Sequence, residues 1–409
     1  MLLPTKTKGL LLSQNEMSVI VHHSIYDVSR DWEKAAPSDN IFLQRKYLQL
    51  LEDCPPADCG FVYLLFYQKS NPVGVAIGQI GTFNAEDSIN EIEENEKRCA
   101  FSSVYNFIKG LVRSSVKVEA LLCGNALLTG EHNVYFQGNE ISKIRQIELL
   151  EEAIQLTVKE LDKRGRNISL FYIKEYHQDH RDEAQTWVAK KYHEFTAQPD
   201  MILTMRPEWE TFEDYLAAMS SKYRVRVKRA RKKGKDIVRV PFDVQKIQDN
   251  LDRIQELYQR IAEKSVFNLV NLNPKYFLEL KKRFGDDFRL VGYYIDNVLI
   301  GYYTTIKNHD ELEAHFLGYD QNFNHKHQMY LNILYDIIQV GFEEKSSRIN
   351  FARTALEIKS SVGAEPSDMF WYLRHRNNFS NRFLAQIVNY INPKEEWVQR
   401  KPFKEIKES

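Results

Sequence analysis

Apolar positions change their period along this chain, and the changes mark its elements. Phe288 to Ile295 and Val298 to Ile306 are β-branched and aromatic runs, separated by Asp296-Asn297, two residues that tolerate the positive φ of a tight hairpin. A third apolar run, Leu312 to Gly318, follows a polar turn at Lys307 to Asp310. Beyond it the spacing becomes helical, with Tyr330, Leu334, Ile337 or Ile338 and Gly341 sharing one face. Arg348 to Ala352 is again strand-like, Ala355 to Ser361 reads as a turn of helix, and Asp368 to Leu373 as one more aromatic strand. The order is strand, strand, strand, helix, strand, short helix, strand, which predicts an α/β fold around a mixed sheet.

The first half carries a similar series. Ile41 to Leu51 reads as a helix, and Phe61 to Gln68 with Val73 to Ile80 as a second hairpin. An acidic insertion with Glu86, Asp87, Glu91, Glu93, Glu94 and Glu96 reads as a solvated loop. A helix at Phe101 to Val112 then leads to a strand at Val116 to Cys123, a long amphipathic helix at Ile144 to Lys163 and a strand at Ile168 to Ile173. Hairpin, strand, helix, strand thus occurs twice, which implies an internal duplication. At 409 residues the chain exceeds the usual single core, and we expect domains at residues 1–235 and 236–409. Where the second copy has Arg353 to Glu357, the first has Lys174-Glu175-Tyr176-His177. Chemistry is therefore expected at one copy or between the two.

Glu210 to Lys235 closes the first copy in this reading. Leu216, Met219, Tyr223, Val227 and Ala230 make an apolar stripe, and no acid occurs between Asp214 and Asp236. Arg224, Arg226, Lys228 and Arg229 are among the cations that fill the rest of this basic amphipathic helix, with Gly234 a plausible stop. The concentration is local, because the chain has 56 basic and 56 acidic residues and no net charge to recruit a polyanion. Two helices, near Val244 to Glu263 and Pro274 to Phe284, follow it, and Phe383 to Ile391 is a last helix.

No run approaches about 18 apolar residues, and no charged segment followed by an apolar core opens the chain. The expectation is a cytoplasmic protein without a membrane span. Cys54, Cys59, Cys99 and Cys123 form no CxxC pair, which fits reduced structural thiols better than a zinc site. No metal and no tightly bound cofactor is expected.

The phrase FARTALEIKSSVGAEP, with Arg353-Thr354 leaving the strand after the central helix and Glu357, Lys359 and Gly363 downstream, resembles the acyl-CoA N-acyltransferase (GNAT) superfamily. More narrowly it is similar to the FemAB-like branch, widespread in bacteria. That resemblance implies two tandem GNAT-like domains and an N-acyltransferase. It would move an acyl group from a thioester, acyl-CoA or acyl carrier protein, to a small-molecule amine in lipid or cell-envelope biosynthesis. SSKYRVRVKRARKKG is also similar to the basic segment that in FemAB-like proteins lies near the site for a phosphorylated precursor.

Acyl transfer needs orientation, a donor for the developing oxyanion and an acceptor for the amine proton. Arg353, Glu357 and Lys359 are candidate catalytic residues and Thr354 a substrate contact, because polar groups just after a core strand line the cleft at its carboxyl end. His325 and His327 stand at the expected helix start as anion-facing or proton-accepting groups, Tyr330 in its first turn as a donor to the leaving thiol, and His315 in mid-strand as a substrate contact. Arg224, Arg226, Lys228 and Arg229 would clamp phosphate. Ordinary GNAT enzymes hold the CoA pyrophosphate on a Gly-rich loop after the third strand, whereas Asp320 to Gln328 contains no glycine. This points away from acetyl-CoA, towards a longer acyl-CoA, an acyl carrier protein or, as in FemAB-like proteins, an aminoacyl-tRNA extending a peptidoglycan precursor. A different class of function, binding nucleic acid or acidic membrane peripherally without catalysis, rests on residues 222 to 235.

Overall fold

A computed structural model describes residues 10–12, 16–56, 59–83, 118–196, 198–262, 272–391 and 397–404. The expected helix at 101–112, most of the acidic insertion and Cys99 lie outside these residues. The chain divides into two compact units, residues 1–197 with 368–394 and residues 198–367 with 395–409. The boundary expected from sequence was residue 235; the compact units part after residue 197, and each takes in a segment from further along the chain.

Unit 1 holds β1 (Leu10–Leu11), β2 (Met17–His22), β3 (Gly60–Gln68), β4 (Asn71–Phe83), β5 (Val118–Cys123), β6 (Val134–Phe136), β7 (Ile168–His177), β8 (His193–Thr196) and the late strand β16 (Met369–His375). The sheet order is β1-β2-β3-β4-β5-β7-β16-β8, with β6 on β4, and β5 and β7 run parallel. Its helices are α1 (Asp31–Ala35), α2 (Arg45–Asp53), α3 (Lys143–Lys163) and α4 (Arg181–Ala189), with α13 (Asn378–Ile391) from the late segment. Asn40 explains why the helix expected at Ile41 begins as a separate 3-10 turn: its side chain accepts the Phe42 N–H, and the chain extends at Gln44 before α2 starts. Helix α3 buries Ile147, Leu150, Ile154, Val158 and Leu161, one face at helical spacing, in the core of this unit.

Unit 2 holds β9 (Asp200–Thr204), β10 (Val238–Pro241), β11 (Phe288–Ile295), β12 (Val298–Asn308), β13 (Glu311–Tyr319), β14 (Arg348–Asn350) and β15 (Glu365–Ser367), in the sheet order β10-β11-β12-β13-β14-β9-β15. The hairpin between β11 and β12 turns on Asp296 (φ 48°) and Asn297 (φ 61°), the left-handed pair that matches strand twist. The helices are α5 (Phe212–Ala218), α6 (Ser221–Lys233), α7 (Val244–Asp249), α8 (Leu251–Ala262), α9 (Tyr276–Phe284), α10 (Gln321–His327), α11 (Met329–Glu343) and α12 (Leu356–Ser360).

Three readings are corrected. The basic helix is two helices, because the chain is extended at Met219 (ψ 152°), and both belong to unit 2 rather than closing unit 1. The single helix expected after β13 is interrupted by left-handed Gln328 (φ 47°, ψ 48°), which separates α10 from α11. The strand expected at 368–373 as part of the second copy joins the first sheet, between β7 and β8.

The duplication itself is visible: β5 and β7 flank α3 as a parallel pair, and β13 and β14 flank α10–α11 in the same way. In unit 2 the pairing covers only Glu311–Arg348, Leu312–Ile349 and Glu313–Asn350. Past that point β13 continues to Tyr319 on β12 alone, so the two strands splay and one edge of β13 opens. Among the described residues no helix is long and apolar enough to cross a membrane.

Candidate functional site in unit 2

Directly after β14 the backbone enters a turn that side chains disfavour. Ala352 (φ 56°), Thr354 (φ 68°) and Ala355 (φ 50°) are all left-handed, and for a β-branched residue such as Thr354 this conformation is an outlier. Such residues cost about 1–3 kcal/mol each and persist only where surroundings over-determine them. Two side chains do so here. Asn350 Oδ1 accepts the Ala352 N–H at 2.8 Å, and Lys359 in α12 donates from Nζ to the Ala352 carbonyl at 3.2 Å and to the Arg353 carbonyl. Lys359 is only 4% exposed. Burial lowers its pKa to about 7, a shift opposed by the charge of Asp200 on β9 and assisted by Arg353. Lys359 therefore supports the turn from behind.

A cavity of about 440 Å³ opens where β13 and β14 part, lined by Ala355 at the end of the turn and Ile358 in α12. Its size falls within the range of about 300–1,000 Å³ typical of small-molecule sites. Tyr319, at the end of β13, forms another side, and Tyr330 and Leu331, in the first turn of α11, another. Left-handed Gln328 lets α11 start afresh there, so the positive end of a 15-residue helix faces the cavity. Asn324 Oδ1 accepts the Tyr330 N–H at 3.1 Å, satisfying one of the donors that a helix start leaves unpaired. Arg226 and Lys233 from α6 and His325 from α10 supply the charged and titratable part of the lining.

The start of α10 is different. Asp320 accepts the Asn322 N–H at 3.0 Å and pairs with Arg260 at 2.9 Å. A carboxylate already holds the place where an anion would approach that helix.

Helix α6 is held in register with α11 by a polar cluster. Asn332, fully buried, donates to the carbonyls of Ala230 (2.9 Å) and His327 (3.0 Å). Arg231, Arg239 and Tyr293 converge on Asp336, and His327 Nδ1 lies 3.1 Å from the Lys233 carbonyl. Arg226 and Lys233 reach the cavity because this cluster fixes the helix that carries them.

Of the residues singled out in the sequence, Arg226, His325 and Tyr330 come together on the cavity wall. Arg353 and exposed Thr354 belong to the turn at its margin. Others lie elsewhere. His315 faces α9, its Nε2 2.9 Å from the Tyr276 hydroxyl, and burial lowers its pKa to about 3. Glu357 points to solvent and pairs with Arg400 Nε at 3.1 Å. Arg224 donates to Met219 O and to Ser221 Oγ (3.2 Å) at the start of its own helix. Lys228 and Arg229 are exposed on α6. Sequence patterns do not mark Tyr319, Asn324 and Gln328 on the cavity wall, nor Asp200 beside Lys359. Only the sheet, which sets β9 beside β14, brings Asp200 near Lys359, so no local signal announced it.

Residues 221–360 match the acetyltransferase (GNAT) domain. Among solved structures, FemX is 11% identical, with 90% of this chain and 99% of FemX covered at a TM-score of 0.51. A tandem GNAT protein from the clavulanic acid biosynthesis pathway is 10% identical, with 88% and 99% covered at a TM-score of 0.50. No curated protein sequence matches the chain.

Proposed function

We propose that this chain is a FemAB-like GNAT N-acyltransferase, a reading supported by the GNAT-domain match over residues 221–360 and by the tandem fold, and that unit 2 transfers an acyl group from a thioester, acyl-CoA or acyl carrier protein, to the amine of a small molecule in lipid or cell-envelope biosynthesis. The observation that carries this reading is the cavity at the splay of β13 and β14, with Arg226, His325 and Tyr330 on its wall. The amine attacks the thioester carbonyl, a C–N bond forms and the C–S bond breaks. Backbone N–H groups on the open edge of β13 beyond Glu313 stabilise the oxyanion. Burial pushes the Tyr330 hydroxyl well above its ordinary pKa, so at neutral pH it keeps its proton and donates towards the departing sulfur. His325 takes the amine proton.

Holding the two reactants together is worth about 7–11 kcal/mol, whereas a general base worth 10²–10⁴ in rate supplies about 3–5 kcal/mol. Loss of one proton-handling group should therefore slow the reaction without abolishing it. The test is amine-dependent thiol release from long-chain acyl-CoA and acyl carrier protein, with the amide product weighed by mass spectrometry. Tyr330→Phe should lower kcat roughly 10- to 100-fold with KM little changed. Full activity in Tyr330→Phe, or thiol release that ignores every amine offered, would overturn the reading.

A further inference from the structure

Helix α6 carries cations that no carboxylate among the described residues neutralises. Lys222, Lys228, Arg229 and Lys232 are exposed on it and Lys235 follows its end. Among the described residues none of the five pairs with a carboxylate, while Arg231 and Arg239 share Asp336 and Arg289 meets Glu343 and Glu344. Lys222, Val225, Arg229 and Lys232 fall at helical spacing on one stripe, about 15 Å long at 1.5 Å per residue. On the same helix Arg226 and Lys233 enter the cavity. The stripe thus runs to the mouth of the proposed acyl site.

We propose that this stripe docks an acidic acyl carrier protein, which delivers its thioester into the cavity on an arm bearing a single phosphate. The proposal rests on the acyl-transfer reading above and selects one of its two donors. Three observations favour this partner. Free CoA brings a pyrophosphate, yet Asp320 with Arg260 occupies the start of α10 and no glycine between Asp320 and Gln328 lets backbone approach one. Arg226 and Lys233 suit one phosphate group. The stripe exposes no aromatic ring on which bases could stack, and a single exposed valine, Val225 at 54%, offers little to insert into a bilayer. An acidic helix of another protein needs neither, since charge complementarity sets its orientation and encounter rate. On transfer the C–S bond breaks and the C–N bond forms, His325 takes the amine proton and Tyr330 supplies one to the sulfur of the carrier's arm, which leaves as a thiol; passage of the proton from His325 to Tyr330 restores both groups.

The test compares a long-chain acyl carrier protein with the CoA thioester of the same chain, using the full-length protein and the exposed-site triple variant Lys222→Glu, Lys232→Glu, Lys235→Glu. The expected result is a KM for acyl carrier protein raised at least tenfold in the variant, with kcat and the kinetics on acyl-CoA unchanged. Binding of holo carrier protein, measured without any amine, should weaken with salt in the wild type and be lost in the variant. Such binding in the absence of transfer would support the docking while counting against the reaction. Equal carrier affinity in wild type and variant would overturn the proposal, as would tighter charge-dependent binding to bulk tRNA or to phosphatidylglycerol vesicles at the same salt.

Discussion

Lys359 joins a sequence signal to a role the sequence did not convey. Its place among polar residues just after a core strand marked it as a site residue, but its ammonium group serves the backbone, bonding two carbonyls of a turn with three left-handed non-glycine residues. Because the folded pKa of about 7 lies below the ordinary value of 10.5, the unfolded chain binds more protons between those values, and stability rises with pH across that window. The denaturation midpoint should therefore climb from pH 7 to pH 9 in the wild type. The climb should flatten in the double variant Lys359→Met, Asp200→Asn, which avoids leaving a buried carboxylate without its cation; an identical slope in both would refute the assignment. Thr354→Gly tests the turn from the other side. Glycine adopts φ 68° freely, so this variant should gain up to about 1 kcal/mol in stability, read as a raised melting temperature, while transfer slows because the cavity margin loosens.

The periodicity of the chain was a good guide to elements and a poor guide to their breaks. Strands β11 to β13 and the hairpin turn were legible because apolar β-branched and aromatic runs and Asp296-Asn297 are local signals. The interruption at Gln328 was not, since glutamine carries no preference for the left-handed conformation it adopts there, and the apolar spacing of α11 runs past it. Likewise the cationic richness of α6 could be read directly, but which cations face the cavity depends on how Asn332 and Asp336 seat the helix. Gly234 is where that seating is tightest: a Cβ there would stand 2.6 Å from Asn332 Nδ2. Since Gly234 has φ −90°, alanine meets no backbone penalty and the conflict is purely steric. Gly234→Ala should cost about 1–3 kcal/mol and lower the apparent affinity for a phosphate-bearing donor more than kcat, because Arg226 and Lys233 shift with the helix. A melting temperature and KM equal to wild type would show that α6 is not held in this way.

At the scale of the whole chain, the two units are not consecutive in sequence, and no local pattern announces this. An aromatic strand such as Met369 to His375 is compatible with either sheet by its own residues, and only the structure shows it pairing with β7 and β8. There Met369, Phe370, Trp371 and Tyr372 are buried. Loss of large buried side chains costs about 2–5 kcal/mol each, so removing four of them costs about 8–20 kcal/mol, as much as the roughly 5–15 kcal/mol by which whole domains are stable. Residues 1–197 alone should thus fail to fold, showing no cooperative transition by circular dichroism. The register suggests the repair. Thr196 pairs with Phe370 in antiparallel fashion, which places the end of β8 beside the start of β16. Joining residue 197 to residue 369 through an Asn-Gly turn should close a hairpin and let residues 1–197 with 369–394 unfold cooperatively on their own. If residues 1–197 fold without the graft, β16 is an accessory to the first sheet; if the grafted chain also fails, the first unit depends on more of the chain than its own strands.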